Sequence, residues 1–287
     1  MTSTRCMVVL GYGGATGSPP KRDSLRLARR LVSWNSSRKR GGRAILRKII
    51  KRYLLWSRGL LLDPQLRYAP AVAILHTDLR RPRQILDVGS GNASLAYFLH
   101  EPVVGVDIDF SAVERDFYAA KLLAIRASAT KLPFRDGSFE AVVSMDTIEH
   151  IHAASRSAAI GEIFRVAHTL VILGFPYGEA SGRLDRIAFA EEQSRGIQTK
   201  WREEHVRYGT PGPDVHTAVL AAARNHRPIM DVRWFEHESL FGVKLRSKLR
   251  QVIPRESRLY GALFFPLYAF HQTGIRTRGY RRIYVAR

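Results

Sequence analysis

The chain is short of cysteine, of long apolar runs and of acidic residues. Cys6 is the single cysteine among 287 residues, which excludes an internal disulfide framework and favours a reducing compartment. The apolar run at residues 7–10 is too short for a secretory signal, and no run reaches the roughly 18 residues of a membrane span. The longest candidate, residues 260–270, is interrupted by Pro266. We therefore expect a cytoplasmic protein.

Acidic residues are scarce at the two ends of the chain but not in its middle. The chain has 46 Lys and Arg against 25 Asp and Glu, a net charge of +21. Residues 1–83 hold 19 basic and 3 acidic residues, and residues 241–287 hold 11 and 1, which leaves 16 basic and 21 acidic residues for 84–240. This distribution predicts an acidic central region with two basic flanks.

The N-terminal flank is expected to be disordered over residues 1–20 and to form a basic helical extension over residues 21–80. Within it, residues 41–62 place apolar side chains on one helical face and basic ones on another. Such a helix can bind an anionic membrane at its inner surface or pack on the main domain. A basic flank can also follow a phosphate backbone. The sequence leaves these alternatives open.

A glycine turn between an apolar strand and a helix start is the most informative motif, and it lies in residues 84–99, QILDVGSGNASLAYFL. Gly89 and Gly91 let the backbone turn tightly and approach a ligand, and Asn92 or Ser94 can cap the next helix. Ser94 stands where the dinucleotide fingerprint has its third glycine, so that fingerprint fails. Asp87 precedes the turn, which favours a cationic ligand over a pyrophosphate.

The alternation of strands and helices continues after the turn. A strand at residues 103–109 places Asp107 twenty residues after Asp87, and an acid at a strand end can bind ribose hydroxyls. Residues 141–145 and 168–176 are predicted strands on either side of a helix at 153–166. Further strands are expected at 230–236 and 280–286. The pattern predicts an α/β domain over residues 81–287.

Residues 84–176 resemble the class I S-adenosylmethionine-dependent methyltransferases, close to the small-molecule (type 11-like) members that carry LPF-x-D-x-SF-D and EH. This chain has LPFRDGSFE at 132–140 and EH at 149–150. The resemblance implies a Rossmann-like, seven-stranded methyltransferase sheet with flanking helices. The usual glycine pair before the fifth strand is absent, and residues 165–169 read RVAHT instead.

The resemblance also implies S-adenosyl-L-methionine as the cofactor. Its methionine part would lie beside Asp87 and the glycines, its ribose at Asp107, and its adenine at Ala129. Members of the family often have Asp where this chain has Ser128, so a hydroxyl replaces the carboxylate that contacts the adenine amine in those members. The expected cofactor contacts are Asp87, Gly89, Gly91, Asp107, Ile108, Ser128 and Ala129.

Two long connections interrupt the expected domain. Residues 177–215 follow the fifth strand, where insertions in this family tend to cover the acceptor pocket, and residues 238–279 precede the last strand. The first insertion is equally compatible with a surface helix that carries solvated charge. Its polar and aromatic side chains are Trp201, Arg202, Glu203, Glu204, His205, Arg207 and Tyr208.

In-line methyl transfer depends mainly on positioning and water exclusion, and a hydroxyl acceptor would also need a base. The candidates are His150, Asp146 and His205, of which His150 is equally compatible with a helix-start residue bonded to backbone. We expect no metal, because the ten histidines show no pair at helical ligand spacing and no carboxylate cluster beside them.

The sequence therefore predicts an enzyme that methylates a small or lipid-linked acceptor, such as a saccharide or isoprenoid hydroxyl. One alternative is an RNA-modifying methyltransferase that uses the basic flanks. Base methylation usually requires N/D-P-P-Y/F after the fourth strand, and residues 144–147 read SMDT instead. The other alternative is a non-catalytic basic binding protein that retains the fold.

Overall fold

The computed structural model describes residues 62–79, 84–91, 94–99, 101–110, 122–226, 231–249, 252–253 and 279–287. The predictions of disorder in residues 1–20 and of the amphipathic helix before Leu62 lie outside these residues.

Seven strands form one sheet in the order β3-β2-β1-β4-β5-β7-β6. Neighbours from β3 to β5 are parallel, and β7 is antiparallel to β5. This confirms the predicted Rossmann-like sheet. The strands are Ile85–Val88 (β1), Val103–Asp107 (β2), Leu122–Arg126 (β3), Phe139–Met145 (β4), Ala167–Pro176 (β5), Val232–Ser239 (β6) and Gly279–Ala286 (β7).

Helices flank the sheet. They are Leu62–Asp78 (α1), Arg156–Val166 (α2), Gly178–Gln193 (α3), Lys200–Tyr208 (α4), Pro213–Asn225 (α5) and Leu240–Leu249 (α6). The helix expected from residue 153 begins at Arg156, because a short 3-10 turn, Ala153–Ser155, precedes it. In the part of the chain that the structure describes, no helix is long and apolar enough to cross a membrane.

The core lies along the central strands, whose side chains are buried on both faces of the sheet. All four residues of β1 are buried, as are six of the seven in β4. Parallel strands covered on both faces are expected to read as apolar runs, which explains why the sequence revealed them. Helix α2 adds Ile160, Ile163 and Phe164 to this core. Full burial of such a side chain contributes roughly 1.5–3 kcal/mol.

The chain divides into two compact units. The larger unit comprises residues 67–236 and 280–287 and contains the features analysed below. The described parts of the smaller unit include residues 62–66 and 237–249. Within it, His237 Nε2 lies 2.9 Å from the carbonyl oxygen of Leu66, and Arg246 pairs with Glu238.

A buried carboxylate, that of Asp87, fixes the turn that follows β1. The backbone N–H of Leu95 donates to it at 2.7 Å, the hydroxyl of Ser94 at 2.8 Å, and the hydroxyl of Tyr68 on α1 at 3.2 Å. Ser94 also accepts from the N–H of Ala96, which confirms it as the cap of the 3-10 turn Leu95–Tyr97. The turn is thus tied both to its own strand and to α1.

Burial makes the stability contributed by Asp87 depend on pH. Desolvation raises its pKa from 3.8 to about 7, although the donors from Leu95, Ser94 and Tyr68 oppose the rise. The folded protein therefore holds a proton that the unfolded chain releases. The associated stabilisation is complete below about pH 4 and is lost as the pH rises through about 7.

Asp87→Asn should remove this dependence. We expect the loss of unfolding free energy between pH 5 and pH 8 to be smaller in the variant than in the wild type by about 2 kcal/mol, measured by urea unfolding. Asp109→Asn, a change at an exposed acid, is the matched control and should behave as the wild type. Equal pH dependence in the Asp87 variant and the wild type would contradict this account.

Candidate functional site

The two glycines of the turn bring the ends of β1, β2 and β4 together. Gly89 has φ +75°, its N–H donates to the carbonyl of Val106 at 2.9 Å, and a Cβ there would overlap the side chain of Thr147. Gly91 has φ +39°, and a Cβ there would meet Asp107 Oδ2 at 3.1 Å. Only glycine suits both positions, because other residues rarely adopt these angles and would crowd these neighbours.

The carboxylate of Asp107 lies at the end of β2 beside this turn. Burial raises its pKa, and backbone N–H groups of Asp109, Gly91 and Ile108 oppose that rise by donating to the carboxylate. The bond from Asp109 measures 3.1 Å. The structure therefore brings together Gly91 and Asp107, two of the predicted cofactor residues, at the carboxyl edge of the sheet where ligands of open α/β folds bind.

The next predicted contacts surround the same strand end. Ile108 is 60% exposed, which leaves an apolar side chain open beside Asp107. The N–H of Ala127 donates to the carbonyl of Asp107 at 2.8 Å, and this bond holds the segment containing Ser128 and Ala129 against β2. Ala129 is buried and Ser128 is half-buried.

Asp87 differs from the other predicted contacts. Its side chain is fully buried, and both oxygens accept hydrogen bonds from within the protein. Its effect on a ligand would therefore act through the shape of the turn. The D-x-G-x-G pattern reveals the residue but not the partner Tyr68, which lies nineteen residues away on α1.

Asp146, which follows β4, is held between two arginines. Arg281 on β7 binds both of its oxygens at 2.5 Å, and Arg67 on α1 approaches at 3.0 Å. Burial alone would raise its pKa, but the two guanidinium groups keep the pKa of Asp146 well below its usual range. A carboxylate held in this way is a poor proton acceptor, so the geometry disfavours the predicted role of Asp146 as a base.

The two candidate histidines meet in space. Nε2 of His150, in the 3-10 turn after β4, lies 3.3 Å from Nε2 of His205 on α4. Glu149 joins them, with ligand atoms of all three within 4.8 Å of one another. Each Nδ1 lies 2.8 Å from a carboxylate, that of Glu204 for His150 and that of Asp185 for His205.

This cluster contradicts the argument that excluded a carboxylate beside a histidine pair. Helical ligand spacing could not reveal the histidine pair, because it detects only ligands on one helix and these histidines are 55 residues apart. Glu149 could have been found through the EH motif.

Burial and neighbouring groups shift the pKa values of His150, Glu204 and Glu149. Burial lowers the pKa of His150, but the hydrogen bond to Glu204 and the charge of Glu149 outweigh it and raise that pKa. The hydrogen bond from His150 in turn lowers the pKa of Glu204. Burial and the nearby Asp146 raise the pKa of Glu149.

The polar side chains of the insertion are partly used inside the protein. Arg202 is buried, donates to Glu192 at 3.0 Å, pairs with Asp185 at 3.3 Å and lies over the ring of Trp201. Tyr280 donates to Asp185 at 2.9 Å. Helix α4 is therefore anchored to α3, which Tyr280 joins to β7, and Arg202 is not free for an acceptor.

Comparison with known proteins finds similarity to methyltransferases. A family model described as "Methyltransferase domain" matches residues 86–171. The demethylmenaquinone methyltransferase of Thermus thermophilus is 33% identical over 142 residues, which are 45% of this chain and 63% of that protein. The chain thus spans less than two thirds of this curated relative.

Solved structures of methyltransferases are also matched, at lower sequence identity. The methyltransferase domain of bacterial CtHen1 has a TM-score of 0.47 at 15% identity and covers 78% of this chain and 98% of that one. The 1,6-didemethyltoxoflavin-N1-methyltransferase of Burkholderia thailandensis, solved with S-adenosylhomocysteine, has a TM-score of 0.35 at 19% identity and covers 58% and 69%. The family match and the curated relative show that this chain is similar to methyltransferases, and its seven-stranded sheet is the one that the resemblance to the class I S-adenosylmethionine-dependent enzymes implies.

Proposed function

We propose that this chain transfers a methyl group from S-adenosyl-L-methionine to a hydroxyl of a small or lipid-linked acceptor, such as a saccharide or an isoprenoid. The observation that carries the proposal is the contact between Gly91 and the carboxylate of Asp107 at the ends of β1 and β2. This contact supports a ligand site at these strand ends, because it combines a carboxylate that can accept hydrogen bonds with a turn that a ligand can approach closely.

The residues at these strand ends fit the cofactor. The Asp107 carboxylate would accept the two ribose hydroxyls, and the exposed side chain of Ile108 would cover one face of the adenine. The backbone at Ser128 and Ala129 would meet the adenine edge. Because Ser128 offers a hydroxyl in place of the family's frequent carboxylate, its bond to the adenine amine would be weaker. When bound, the cofactor supplies an electrophilic methyl group on sulfur.

The histidine cluster supports an acceptor site beside this crevice. Helix α4, from the segment predicted to cover the acceptor, brings His205 to the end of β4. The His150 side chain is 26% exposed, whereas that of His205 is only 5% exposed. An acceptor hydroxyl would therefore approach His150, with His205 and Glu204 holding the His150 ring in place.

The class of acceptor has indirect support. The Thermus relative is named for a small-molecule substrate, demethylmenaquinone, which is compatible with a small-molecule acceptor here. The membrane-binding and RNA-binding alternatives depend on basic flanks whose central segments lie outside the described residues. They remain predictions that an acceptor assay can separate.

Asp107→Ala should weaken cofactor binding at least 100-fold, because it removes the acceptor of two hydroxyl groups, each worth about 1.5–3 kcal/mol with a charged partner. The measurement is calorimetric titration with S-adenosyl-L-methionine. Asp109→Ala removes a charge from the same strand end and should keep the wild-type affinity within about threefold. Wild-type affinity in the Asp107 variant would contradict the site.

Methyl transfer from radiolabelled S-adenosyl-L-methionine should label hydroxylated small molecules or a lipid extract. We expect the label to survive nuclease treatment and to require Asp107. The RNA alternative predicts nuclease-sensitive label that decreases steeply as salt rises. That outcome would overturn the proposed acceptor class, and cofactor binding without transfer to any acceptor would favour the non-catalytic alternative.

A further inference from the structure

The carboxylate of Glu149 is buried and accepts no hydrogen bond from another described residue. Its side chain is 1% exposed, and neither oxygen has a hydrogen-bond partner among the described residues. Nε2 of His205 lies 3.7 Å from Oε1 of Glu149. A buried carboxylate is costly unless it is paired, neutralised or bound to a metal.

The two histidines turn their second nitrogens toward each other and toward this carboxylate. Because each Nδ1 faces a carboxylate at 2.8 Å, the Nδ1 atoms are the natural proton donors of both rings. The Nε2 atoms of His150 and His205 are then left with lone pairs only 3.3 Å apart. Two facing lone pairs beside a carboxylate form an electron-rich point that favours a cation.

The spacing fits a metal ion. A tetrahedral Zn²⁺ with bonds of about 2.05 Å to two nitrogens separates those nitrogens by about 3.3 Å. Metal-binding histidines almost always donate their other N–H to a carboxylate, carbonyl or water. Glu204 and Asp185 hold the positions that this arrangement requires.

The cluster is closed on one side and accessible on the other. Glu149, His205 and Asp185 are buried, whereas the side chains of His150 and Glu204 are 26% and 28% exposed. Three protein ligands with one accessible side are typical of catalytic zinc sites, which keep a position open for water or substrate.

We propose that Glu149, His150 and His205 bind a divalent transition metal ion, with Zn²⁺ as the best fit, through one carboxylate and two Nε2 atoms. Glu204 and Asp185 orient the two rings. The role of the ion rests on the proposed function: an acceptor hydroxyl that occupies the open position would lose its proton more readily to solvent as its oxygen takes up the methyl group.

The test uses the full chain, freed of metal with a chelator and titrated with Zn²⁺ against a chromophoric chelator. We expect one Zn²⁺ per chain in the wild type and at least a tenfold loss of affinity in Glu149→Gln. Asp185→Asn should cost about 10–100-fold, as changes of such supporting carboxylates do. His168→Ala is the matched control, an exposed histidine outside the cluster, and should keep wild-type affinity.

Folding is checked in the same samples. Glu149→Gln without metal should melt at or above the wild-type temperature, because it replaces a buried carboxylate whose oxygens accept no hydrogen bond from the described residues. Zn²⁺ should raise the melting temperature of the wild type but not that of Glu149→Gln. Co²⁺ bound to the wild type should show the intense visible bands of four-coordinate geometry. Equal Zn²⁺ affinity in the wild type and Glu149→Gln would overturn the proposal and favour a proton shared between the histidines.

Cofactor titration separates this proposal from the proposed function. Asp107→Ala should lose S-adenosyl-L-methionine and keep Zn²⁺, whereas Glu149→Gln should lose Zn²⁺ and keep the cofactor. If the metal proposal alone is wrong, the loss of S-adenosyl-L-methionine binding in Asp107→Ala should still be observed.

Discussion

The glycine turn after β1 is held between two carboxylates, and the candidate cofactor site depends on that arrangement. Asp87 receives donors from Ser94, Leu95 and Tyr68 on the buried side, while Asp107 receives the N–H of Gly91 at the strand end. The two carboxylates lie near the same turn because β1 and β2 are adjacent parallel strands, whose carboxyl ends meet at the same edge of the sheet. The two aspartates thus have different roles. The carboxylate of Asp87 is buried and structural, whereas that of Asp107 lies beside the exposed side chain of Ile108.

The end of β4 joins this turn to the rest of the domain. Thr147 limits the space beside Gly89, and Asp146 binds Arg281 of β7 and Arg67 of α1. One short segment therefore connects the turn, α1 and β7. The Glu149 and His150 pair follows at once, so the position of the histidine cluster depends on these same ion pairs.

Short sequence patterns predicted the strands and turns whose formation depends on residues close together in the chain. The apolar runs of β1, β4 and β5 and the strand-ending Asp107 were readable, because buried parallel strands and short turns leave clear marks. Strand β3 was missed because it lies at the sheet edge and exposes side chains such as Leu123. The contact between His150 and His205 was not predicted, because the two residues lie in separate elements, the 3-10 turn after β4 and helix α4.

Hydrogen exchange of the full chain with and without S-adenosylhomocysteine tests the central claim most directly, that the cofactor site lies at the ends of β1 and β2. The account predicts slower exchange in peptides covering residues 87–91 and 105–109, with helix α5 unchanged as an internal reference. Saturating ligand that leaves those peptides unprotected, or protects only other segments, would contradict it.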